Sequence, residues 1–334
     1  MCNINCIIPP HIMTKLGYSS EKEAEHLEIS EKLHATRDKF KGVKFGSGGN
    51  KKFRVIQNAN NQSSLQGEVA RREGDDETGD PAIDETYEYT GDVYDFFKEI
   101  YNRNSIDNEG MRLMSTVHYG KKFDNAFWNG RRMVFGDGDG VTFQRFTKCL
   151  EIIGHEMAHG VVNTSVLLNN EGQSGALSES IADVFGLMVK QKKLEQRASE
   201  ASWILGEGLF TNKVNGVGVR HIKNPGKAYN DALLGKDPCP SSMDDYVNTK
   251  SDNGGIHINC TIPSHAFYLA SIELGGFTWN KMGRVWYNTV KNRVKDEDIN
   301  FKQFAELTLL TCQKIFSDKE TNVLERAWEA VKIL

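Results

Sequence analysis

The stretch Gly154-His155-Glu156-Met157-Ala158-His159-Gly160 decides how the rest of the sequence is interpreted. In a helix, histidines four residues apart project from one face, so His155 and His159 can bind a common metal ion. Glu156 points about 100° around the helix and could take a proton from water held by the metal. Zinc with two histidine ligands needs a third protein ligand, and the next candidate is Glu179. The pattern therefore predicts a zinc site with a base beside it.

The same pattern also occurs by chance in helices that bind no metal. Here most of the flanking residues are apolar, which predicts a buried helix; they are Leu150, Ile152, Ile153, Met157, Ala158, Val161 and Val162. A buried carboxylate without a partner is costly, and one zinc ion would satisfy the two histidines and the glutamate together. Gly154 and Gly160 each cost up to about 1 kcal/mol in a helix interior, which indicates that another element packs closely there.

Length and charge limit the classes of function. With 334 residues the chain is too long for one simple core, so two lobes are expected. Its 41 Lys and Arg against 45 Asp and Glu give a net charge of −4, which argues against nucleic acid as an obligatory partner. No run approaches about 18 uninterrupted apolar residues, so no membrane-spanning helix is expected.

The N-terminus and the cysteines bear on the cellular compartment. The first residues lack a basic region and two prolines interrupt their apolar run, which is unlike a usual export signal. This leaves the cytoplasm and export by an unconventional route open. The cysteines lack the spacing of a metal site or disulfide scaffold, so buried thiols are expected, although disulfides are compatible with their even number; they are Cys2, Cys6, Cys149, Cys239, Cys260 and Cys312.

Residues 1–50 differ from the rest of the chain. Residues 7–13 predict a short apolar, extended element, because Pro10 disfavours helix at Pro9. A charged helix is expected from about residue 20 to residue 40, with Ser20 and Glu23 in a capping box. The glycine-rich residues 42–50 predict a cleavable or flexible linker, with a long surface loop as the alternative.

The middle of the chain alternates between strand and loop patterns. Strands are expected at residues 53–57, 114–119 and 132–135, and residues 94–101 have helical periodicity. The acidic residues 68–92 predict a solvated face or loop. The Asp/Gly-rich residues 136–140 predict a plain turn, since they lack the spacing of a calcium-binding loop.

The last part of the chain is predominantly helical. Ser174 is expected to cap a helix that ends near residue 193, and residues 301–316 and 320–334 predict core helices of a second lobe. Between them, residues 212–255 are irregular and rich in Gly, Asn and Pro. A loop of that length in a compact protein is usually functional.

Taken in order, these motifs resemble the thermolysin-like family of zinc endopeptidases, within it the protealysin-like branch with a short N-terminal propeptide. The resemblance covers about residues 52–334. Besides the zinc helix it depends on five motifs, namely Ser115-Thr116-Val117-His118-Tyr119-Gly120, Asn125-Ala126-Phe127-Trp128-Asn129-Gly130, Gly136-Asp137-Gly138-Asp139-Gly140, Gly175-Ala176-Leu177-Ser178-Glu179 and Asp252-Asn253-Gly254-Gly255-Ile256-His257-Ile258-Asn259.

The resemblance implies an α+β fold with two lobes. A β-rich N-terminal lobe over residues 51–165 would end in the zinc helix, and residues 166–334 would form a helical C-terminal lobe. Residues 1–50 would be the propeptide and linker. The cleft would lie between the lobes.

The resemblance also implies roles for individual residues. His155, His159 and Glu179 would bind one catalytic zinc, and Glu156 would be the general base. Asp183 would fix the tautomer and the orientation of a ligand histidine.

Further residues would act on the substrate. His257, paired with Asp252, would stabilise the tetrahedral oxyanion. Arg220 would bind a substrate carbonyl, while Asn125 and Ala126 would hold the peptide backbone as an added strand. The pocket for the side chain after the scissile bond would be apolar, which predicts cleavage on the amino side of Leu, Phe, Ile or Val; it comprises Phe143, Phe146, Ile152, Leu205, Leu209 and Val219.

Three positions depart from the family's pattern. Asn170 stands where a tyrosine usually assists the oxyanion, and Ser178 stands where an asparagine usually precedes the glutamate ligand. Lys190 falls among the positions of a paired calcium site, where its cation would repel the ion. A double calcium site is therefore not expected, while calcium binding elsewhere is left open.

The resulting hypothesis is a zinc endopeptidase made as a zymogen, acting on peptides or proteins and monomeric. The N-terminal segment would occupy the cleft until a cut between about residues 45 and 53. The thiolate of Cys6 could block the zinc, although a bystander cysteine is the preferred interpretation. The main alternative is a zinc-binding but catalytically weak relative that acts as a binding or regulatory protein; a structural module with a relic site would have lost a ligand, and none is lost.

Overall fold

The structure is a computed structural model, and it describes residues 6–17 and 49–334. The helix expected over residues 20–40 and the linker up to residue 48 lie outside the described residues. Within them, one large apolar cluster runs from the N-terminal segment through both expected lobes. The mixed α+β class expected from the sequence is confirmed.

A five-stranded mixed sheet forms the first part of the fold. In chain order its strands are β1 (Arg54–Asn58), β2 (Glu68–Arg72), β3 (Leu113–Val117), β4 (Ala126–Trp128) and β5 (Met133–Phe135). Their spatial order is β2-β1-β3-β5-β4, so β4 lies at an edge. Strand β1 is parallel to β3, and β3 to β5, whereas β2 and β4 pair antiparallel with their neighbours.

The solvated face or loop expected over residues 68–92 is found only in part, because the irregular, largely exposed loop is limited to residues 73–80. The start of the range 68–92 forms β2, and its end belongs to helix α2 (Pro81–Tyr101). Asp80 caps this helix by accepting bonds from the amides of Ala82 and Ile83 at 2.9 and 3.3 Å. The acidic residues at the start of α2 lie on a solvated face, as one of the two alternatives expected, while the other face of this amphipathic helix is buried.

The zinc helix and its neighbour pack closely against each other. They are α3 (Leu150–Ser165) and α4 (Gly172–Lys193). A Cβ atom on Gly154 would lie 2.9 Å from the Cα atom of Gly186 in α4, a distance that real Cβ contacts almost never show. The close packing expected at Gly154 is therefore confirmed, and it brings the histidines of α3 within reach of α4. Helix α4 begins at Gly172 rather than at Ser174, and Glu171 is its N-cap residue.

Helices dominate the rest of the chain. They are α5 (Asp252–Asn259), α6 (Thr261–Leu274), α7 (Met282–Asn292), α8 (Phe301–Ile315) and α9 (Asp318–Ala330). Capping boxes at Asn300 and Ser317 begin the last two. Trp286 of α7 stacks on Trp328 of α9 with ring centroids 5.6 Å apart, so these helices share the predicted core.

Residues 212–255 are irregular, as expected, with short strand pairs. These involve β6 (Ile204–Leu205) with β7 (Arg220–His221), and β8 (Asn230–Asp231) with β9 (Gly235–Lys236). Single turns of 3-10 helix occur at Phe146–Lys148, Met243–Asp245 and Thr278–Asn280. Among the described residues, no helix is both long and apolar enough to cross a membrane.

The N-terminal segment is extended only at its start. Residues 6–9 are not helical, but helix α1 (Pro10–Lys15) follows immediately, so the expected extended element over residues 7–13 is wrong in its second half. Pro10 occupies the first helical position, where its missing N–H costs nothing and its fixed φ suits the helix. Pro9, with φ −67° and ψ 150°, is the non-helical residue before it.

Candidate active site

The three expected zinc ligands meet between helices α3 and α4. The Nε2 atoms of His155 and His159 lie 3.0 Å apart. The carboxylate oxygens of Glu179 lie 3.5 Å from Nε2 of His155 and 3.4 Å from Nε2 of His159. All three side chains are completely buried, and one ligand atom from each lies within 4.8 Å of the others.

The donor set fits zinc. Neither oxygen of Glu179 has a hydrogen-bond donor among the described residues, although both are buried. A buried carboxylate in that state is strongly destabilising unless a cation compensates it. Two imidazole nitrogens and one carboxylate are the ligands that catalytic zinc sites use, with a fourth position left for water or substrate.

Asp183 connects a ligand histidine with a buried arginine. Its Oδ1 lies 2.8 Å from Nδ1 of His155, which fixes the ring with Nε2 toward the metal position. Its two oxygens also accept bonds of 2.7 and 2.8 Å from Nε and Nη2 of Arg220. Burial alone would raise the pKa of Asp183, but Arg220 and His155 lower it below its ordinary value.

His257 and Asp252 form a second buried pair. Nδ1 of His257 lies 2.6 Å from Oδ1 of Asp252, and the backbone amide of His257 donates to Oδ2 at 2.9 Å. The Nε2 atom has no hydrogen-bond partner among the described residues and lies 3.5 Å from Glu179. Burial would lower the pKa of His257, but the carboxylates of Asp252 and Glu179 raise it to about 9.

A tight turn creates this pair. Residues 252–255 all have positive φ, between 50° and 86°. Only Asn, Asp and Gly adopt this left-handed conformation readily, which explains the composition of the Asp252-Asn253-Gly254-Gly255 stretch. Glu156, next to His155 on α3, is also completely buried.

The chain's own N-terminal segment occupies the cleft beside these groups. Cys6 forms an antiparallel bridge with Phe127 of the edge strand β4. The amide of Ile7 donates to the carbonyl of Ala126 at 3.2 Å, and the amide of Ile8 donates to Oδ1 of Asn125 at 3.0 Å. Asn125 and Ala126, which were expected to bind a peptide backbone, thus bind the backbone of the N-terminal segment.

Arg220 contacts the same segment. Its Nη1 donates to the carbonyl of Ile7 at 3.4 Å. The expected pocket residues are all completely or almost completely buried in the large apolar cluster, which also contains the completely buried Ile7; they are Phe143, Phe146, Ile152, Leu205, Leu209 and Val219. The rings of Phe143 and Phe146 have centroids 5.8 Å apart.

Cys6 packs in a small cluster of aromatic and apolar side chains. The cluster comprises Cys6, Tyr119, Phe123, Phe127 and Val134, with Leu65 against it. The group of possible metal donors found among residues 6–17 and 49–334 contains two histidines and a glutamate but no thiol. This placement favours the interpretation of Cys6 as a bystander. The other described cysteines are buried and unbridged, as the sequence predicted, while Cys2 lies outside the described residues.

One contact of the N-terminal segment, between His11 and Tyr229, was not predicted from the sequence. Nε2 of His11 in α1 lies 2.7 Å from the hydroxyl of Tyr229. Burial lowers the pKa of His11 from 6.5 to about 4, although Asp252 opposes this shift. A histidine directly after two prolines was the only available signal, and nothing in the spacing linked it to a tyrosine 218 residues away.

Lys190 lies between two carboxylates at the positions where the family has a paired calcium site. Its Nζ lies 3.1 Å from Oε1 of Glu151 and 2.9 Å from Oε2 of Glu207. The Asp/Gly turn is likewise satisfied by protein groups, because Asp137 bonds His118 at 2.8 Å and Asp139 accepts three backbone amides. Oδ1 of Asn170 is buried without a hydrogen-bond partner among the described residues.

Comparisons with known proteins agree with this geometry. Two family models match, "Thermolysin metallopeptidase, catalytic domain" over residues 17–163 and "Thermolysin metallopeptidase, alpha-helical domain" over residues 167–333. An extracellular metalloprotease of Pectobacterium carotovorum is 42% identical over 98% of this chain and 96% of its own length. Protease PrtS of Photorhabdus is 42% identical over 99% of this chain and 92% of its own.

A solved structure has a similar fold. The precursor of protealysin, a metalloproteinase from Serratia proteamaculans, superposes with a TM-score of 0.90 at 43% identity, covering 99% of this chain and 100% of the other. The resemblance inferred from the motifs is confirmed. The chain belongs to the thermolysin family of metallopeptidases, in its protealysin-like branch, and is a zinc-dependent metalloendopeptidase.

Proposed function

We propose that this metalloendopeptidase is made as a zymogen whose N-terminal segment fills the cleft. One observation carries the proposal: the segment at Cys6–Ile8 pairs with the edge strand β4 and receives a hydrogen bond from Arg220, where a peptide substrate would bind. A substrate cannot reach the same groups while the segment stays bound. Removal of about the first 50 residues, by a cut between residues 45 and 53, would open the cleft.

The proposed mechanism assigns one task to each buried group. His155, His159 and Glu179 would hold the zinc, which would supply a Lewis acid for the scissile carbonyl. Glu156 takes a proton from the attacking water and delivers it to the leaving nitrogen. Asp183 keeps His155 in the tautomer that presents Nε2, which its 2.8 Å approach to Nδ1 supports.

Other residues hold the substrate and its developing charge. The Nε2–H of His257, whose ring Asp252 keeps in place, donates to the oxyanion of the tetrahedral intermediate. Asn125 and Ala126 bind the backbone as an added strand, and Arg220 binds the carbonyl of the residue after the scissile bond. The hydrogen bonds that these three residues make to the N-terminal segment support the assignment.

The proposed specificity is for a hydrophobic residue on the carboxyl side of the scissile bond. The pocket residues carry no charge, and two phenylalanines narrow the space. Burying an apolar side chain there gains roughly 1.5–3 kcal/mol, while an unpaired charge would be penalised. Cleavage is therefore expected before Leu, Phe, Ile or Val.

The domain boundaries are part of the proposal. Residues 1–50 would form the propeptide and linker, residues 51–165 the lobe that ends with the zinc helix, and residues 166–334 the helical lobe. The end of α3 at Ser165 supports the second boundary. A site built from one chain is compatible with an active monomer.

The test is to incubate the purified full-length protein with zinc and an unstructured protein substrate, then to analyse substrate and enzyme by mass spectrometry. Chelator-sensitive cuts before apolar residues, accompanied by loss of about the first 50 residues, would support the proposal. Cuts with no preference for the following residue would contradict the specificity. The alternative, a binding protein with a weak site, predicts bound zinc and no cuts even after the segment is removed by limited proteolysis. Asn170 and Ser178 favour this alternative, whereas the family membership and the presence of Glu156 and His257 disfavour it.

A further inference from the structure

The N-terminal segment does more than cover the cleft, because its backbone runs in a defined register. The amide of Ile7 bonds Ala126 on one side, and the carbonyl of Ile7 bonds Arg220 on another. The next amide, that of Ile8, bonds the side chain of Asn125. Three consecutive backbone groups are therefore fixed by three different residues of the cleft.

This register identifies one peptide bond. The bond between Cys6 and Ile7 is trans, so its C=O and N–H point in opposite directions. Since the N–H points to Ala126 of the edge strand β4, the carbonyl of Cys6 points away from that strand. The carbonyl of the next bond, between Ile7 and Ile8, is instead taken by Arg220. The bond after that ends at Pro9, whose nitrogen carries no hydrogen.

The side chains agree with the same register. Ile7 is completely buried, as the apolar side chain after a scissile bond would be. Its amide and carbonyl make the contacts expected of the residue after a scissile bond, namely with the edge strand and with Arg220. Ile7 is also one of the residues before which the enzyme is expected to cut.

We propose that the Cys6–Ile7 bond is a self-processing site, presented to the active centre of the same chain as a substrate. This inference depends on the proposed function, and it adds a cleavage site distinct from the one in the linker. The reaction is hydrolysis. The water oxygen adds to the carbonyl carbon of Cys6, the bond to the nitrogen of Ile7 breaks, and Glu156 transfers a water proton to that nitrogen. Cys6 ends as a carboxylate and Ile7 as a new amino terminus, so water is the only co-reactant.

The part of the segment that begins at Ile7 stays bound after such a cut. The Ile8 amide keeps its bond to Asn125, and His11 keeps its contact with Tyr229 at 2.7 Å. Residues 7–17 also remain covalently linked to the catalytic part of the chain. We therefore expect this first cut to remove residues 1–6 without activating the enzyme toward external substrates.

The experiment follows the full-length protein by intact-mass spectrometry after zinc is added to the zinc-free form. A species that begins at Ile7 is expected, formed at a rate independent of protein concentration because the cut is intramolecular. E156Q should not form it. I7D should slow its formation at least tenfold, since a carboxylate does not fit the apolar pocket, whereas T14A, at an exposed position of α1, should behave as the wild type.

A second measurement tests the register without any hydrolysis. In E156Q, hydrogen exchange at the Ile7 and Ile8 amides should be at least tenfold slower than in the free segment, and N125A in that background should speed exchange at Ile8 more than at Ile7. If N125A left the exchange rates of the Ile7 and Ile8 amides the same as in E156Q alone, the register would be wrong.

The outcomes separate this inference from the proposed function. If zinc leads to cuts in an external substrate while the released N-terminal fragment still begins at residue 1 and no species beginning at Ile7 forms, the self-processing site is wrong and the endopeptidase proposal stands. If neither the chain nor an external substrate is cut after the segment has been removed by limited proteolysis, both are wrong.

Discussion

Arg220 and Asp183 are joined by two hydrogen bonds, of 2.7 and 2.8 Å, between completely buried side chains. The same carboxylate lies 2.8 Å from Nδ1 of His155, and the same guanidinium donates to the carbonyl of Ile7. One ion pair therefore touches both a zinc ligand and the peptide in the cleft. Changes at either residue should affect metal binding and peptide binding together.

We expect D183A to lose stability and zinc affinity. Removing one partner leaves the Arg220 cation buried and unpaired, which costs about 3–5 kcal/mol. Loss of the contact to His155 should lower zinc affinity roughly 10- to 100-fold. Chemical denaturation of the zinc-free protein and a competition assay with a metal indicator measure the two effects separately.

A matched control comes from an exposed ion pair. Lys193 contacts Asp92 at 2.9 Å on the surface, and K193A should change the free energy of unfolding by no more than about 1 kcal/mol. If D183A were as mild as K193A, the Asp183–Arg220 pair would not stabilise the site as argued.

Two glutamates of the site should respond differently to the same chemical change. E156Q should keep zinc and lose peptidase activity by at least about 100-fold, because the amide cannot accept the proton from water. E179Q should instead lose zinc, since it replaces a charged ligand by a neutral one. Metal content by mass spectrometry and hydrolysis of a peptide by the processed enzyme distinguish them. Full activity of E156Q would exclude Glu156 as the base.

The zinc centre could be predicted from the sequence because its determinants are local. The spacing of His155 and His159 is a property of one helix, and Gly154 indicated the close packing that the contact with Gly186 confirms. Prediction failed where tertiary packing overrode composition. The acidic residues before residue 92 indicated a solvated face or a loop but not the strand β2 or the helix α2, which form because one face of α2 is buried and Asp80 caps the helix.

Contacts between distant parts of the chain could not be predicted, because no local sequence pattern indicates them. The bond between His11 and Tyr229 joins residues 218 positions apart, and neither residue belongs to a periodic stretch. The register of Ile7 against Ala126 is of the same kind. The sequence predicted a propeptide in the cleft, but the partner of the Ile7 amide is known only from the backbone hydrogen bonds of the structure.

His11 should make binding of the N-terminal segment sensitive to pH. Burial lowers its pKa from 6.5 to about 4, and Asp252 opposes this effect while His257 and Arg220 reinforce it. A pKa that is lower in the bound segment means that protonation favours release. Binding is therefore strongest above pH 6.5 and weakens as the pH falls toward 4, by a factor of about 30 at pH 5.

The measurement is hydrogen exchange at the Ile8 amide in the uncleaved E156Q protein at pH 7 and pH 5, corrected for the intrinsic pH dependence of exchange. Protection should drop at pH 5. H11Q in the same background keeps a group that can bond Tyr229 but does not titrate, so its protection should be equal at the two pH values. A drop of the same size in H11Q would place the sensitivity in another group.

Lys190 should make the stability of the enzyme independent of calcium. Burial raises the pKa of Glu151, and the nearby ammonium of Lys190 acts against that shift, so the lysine supplies the positive charge that this buried carboxylate needs. Glu207 binds the other side of the same ammonium at 2.9 Å. Millimolar calcium should therefore shift the melting temperature of the wild type by less than about 1 °C, because the protein already holds a cation at this position.

Removing Lys190 should lower the stability of the enzyme and make that stability depend on calcium. K190A leaves the almost completely buried Glu151 unpaired, which should cost about 3–5 kcal/mol. It also frees carboxylate oxygens of Glu151 and Glu207 for a hard cation, so calcium should restore part of the lost stability. K192A is the matched control, since Lys192 lies on the same helix and its ammonium lies 3.7 Å from the exposed Glu99. It should be close to the wild type with and without calcium. The ammonium of Lys190 would not replace a calcium ion if calcium raised the melting temperature of the wild type by several degrees. The same would follow if calcium left the melting temperature of K190A unchanged.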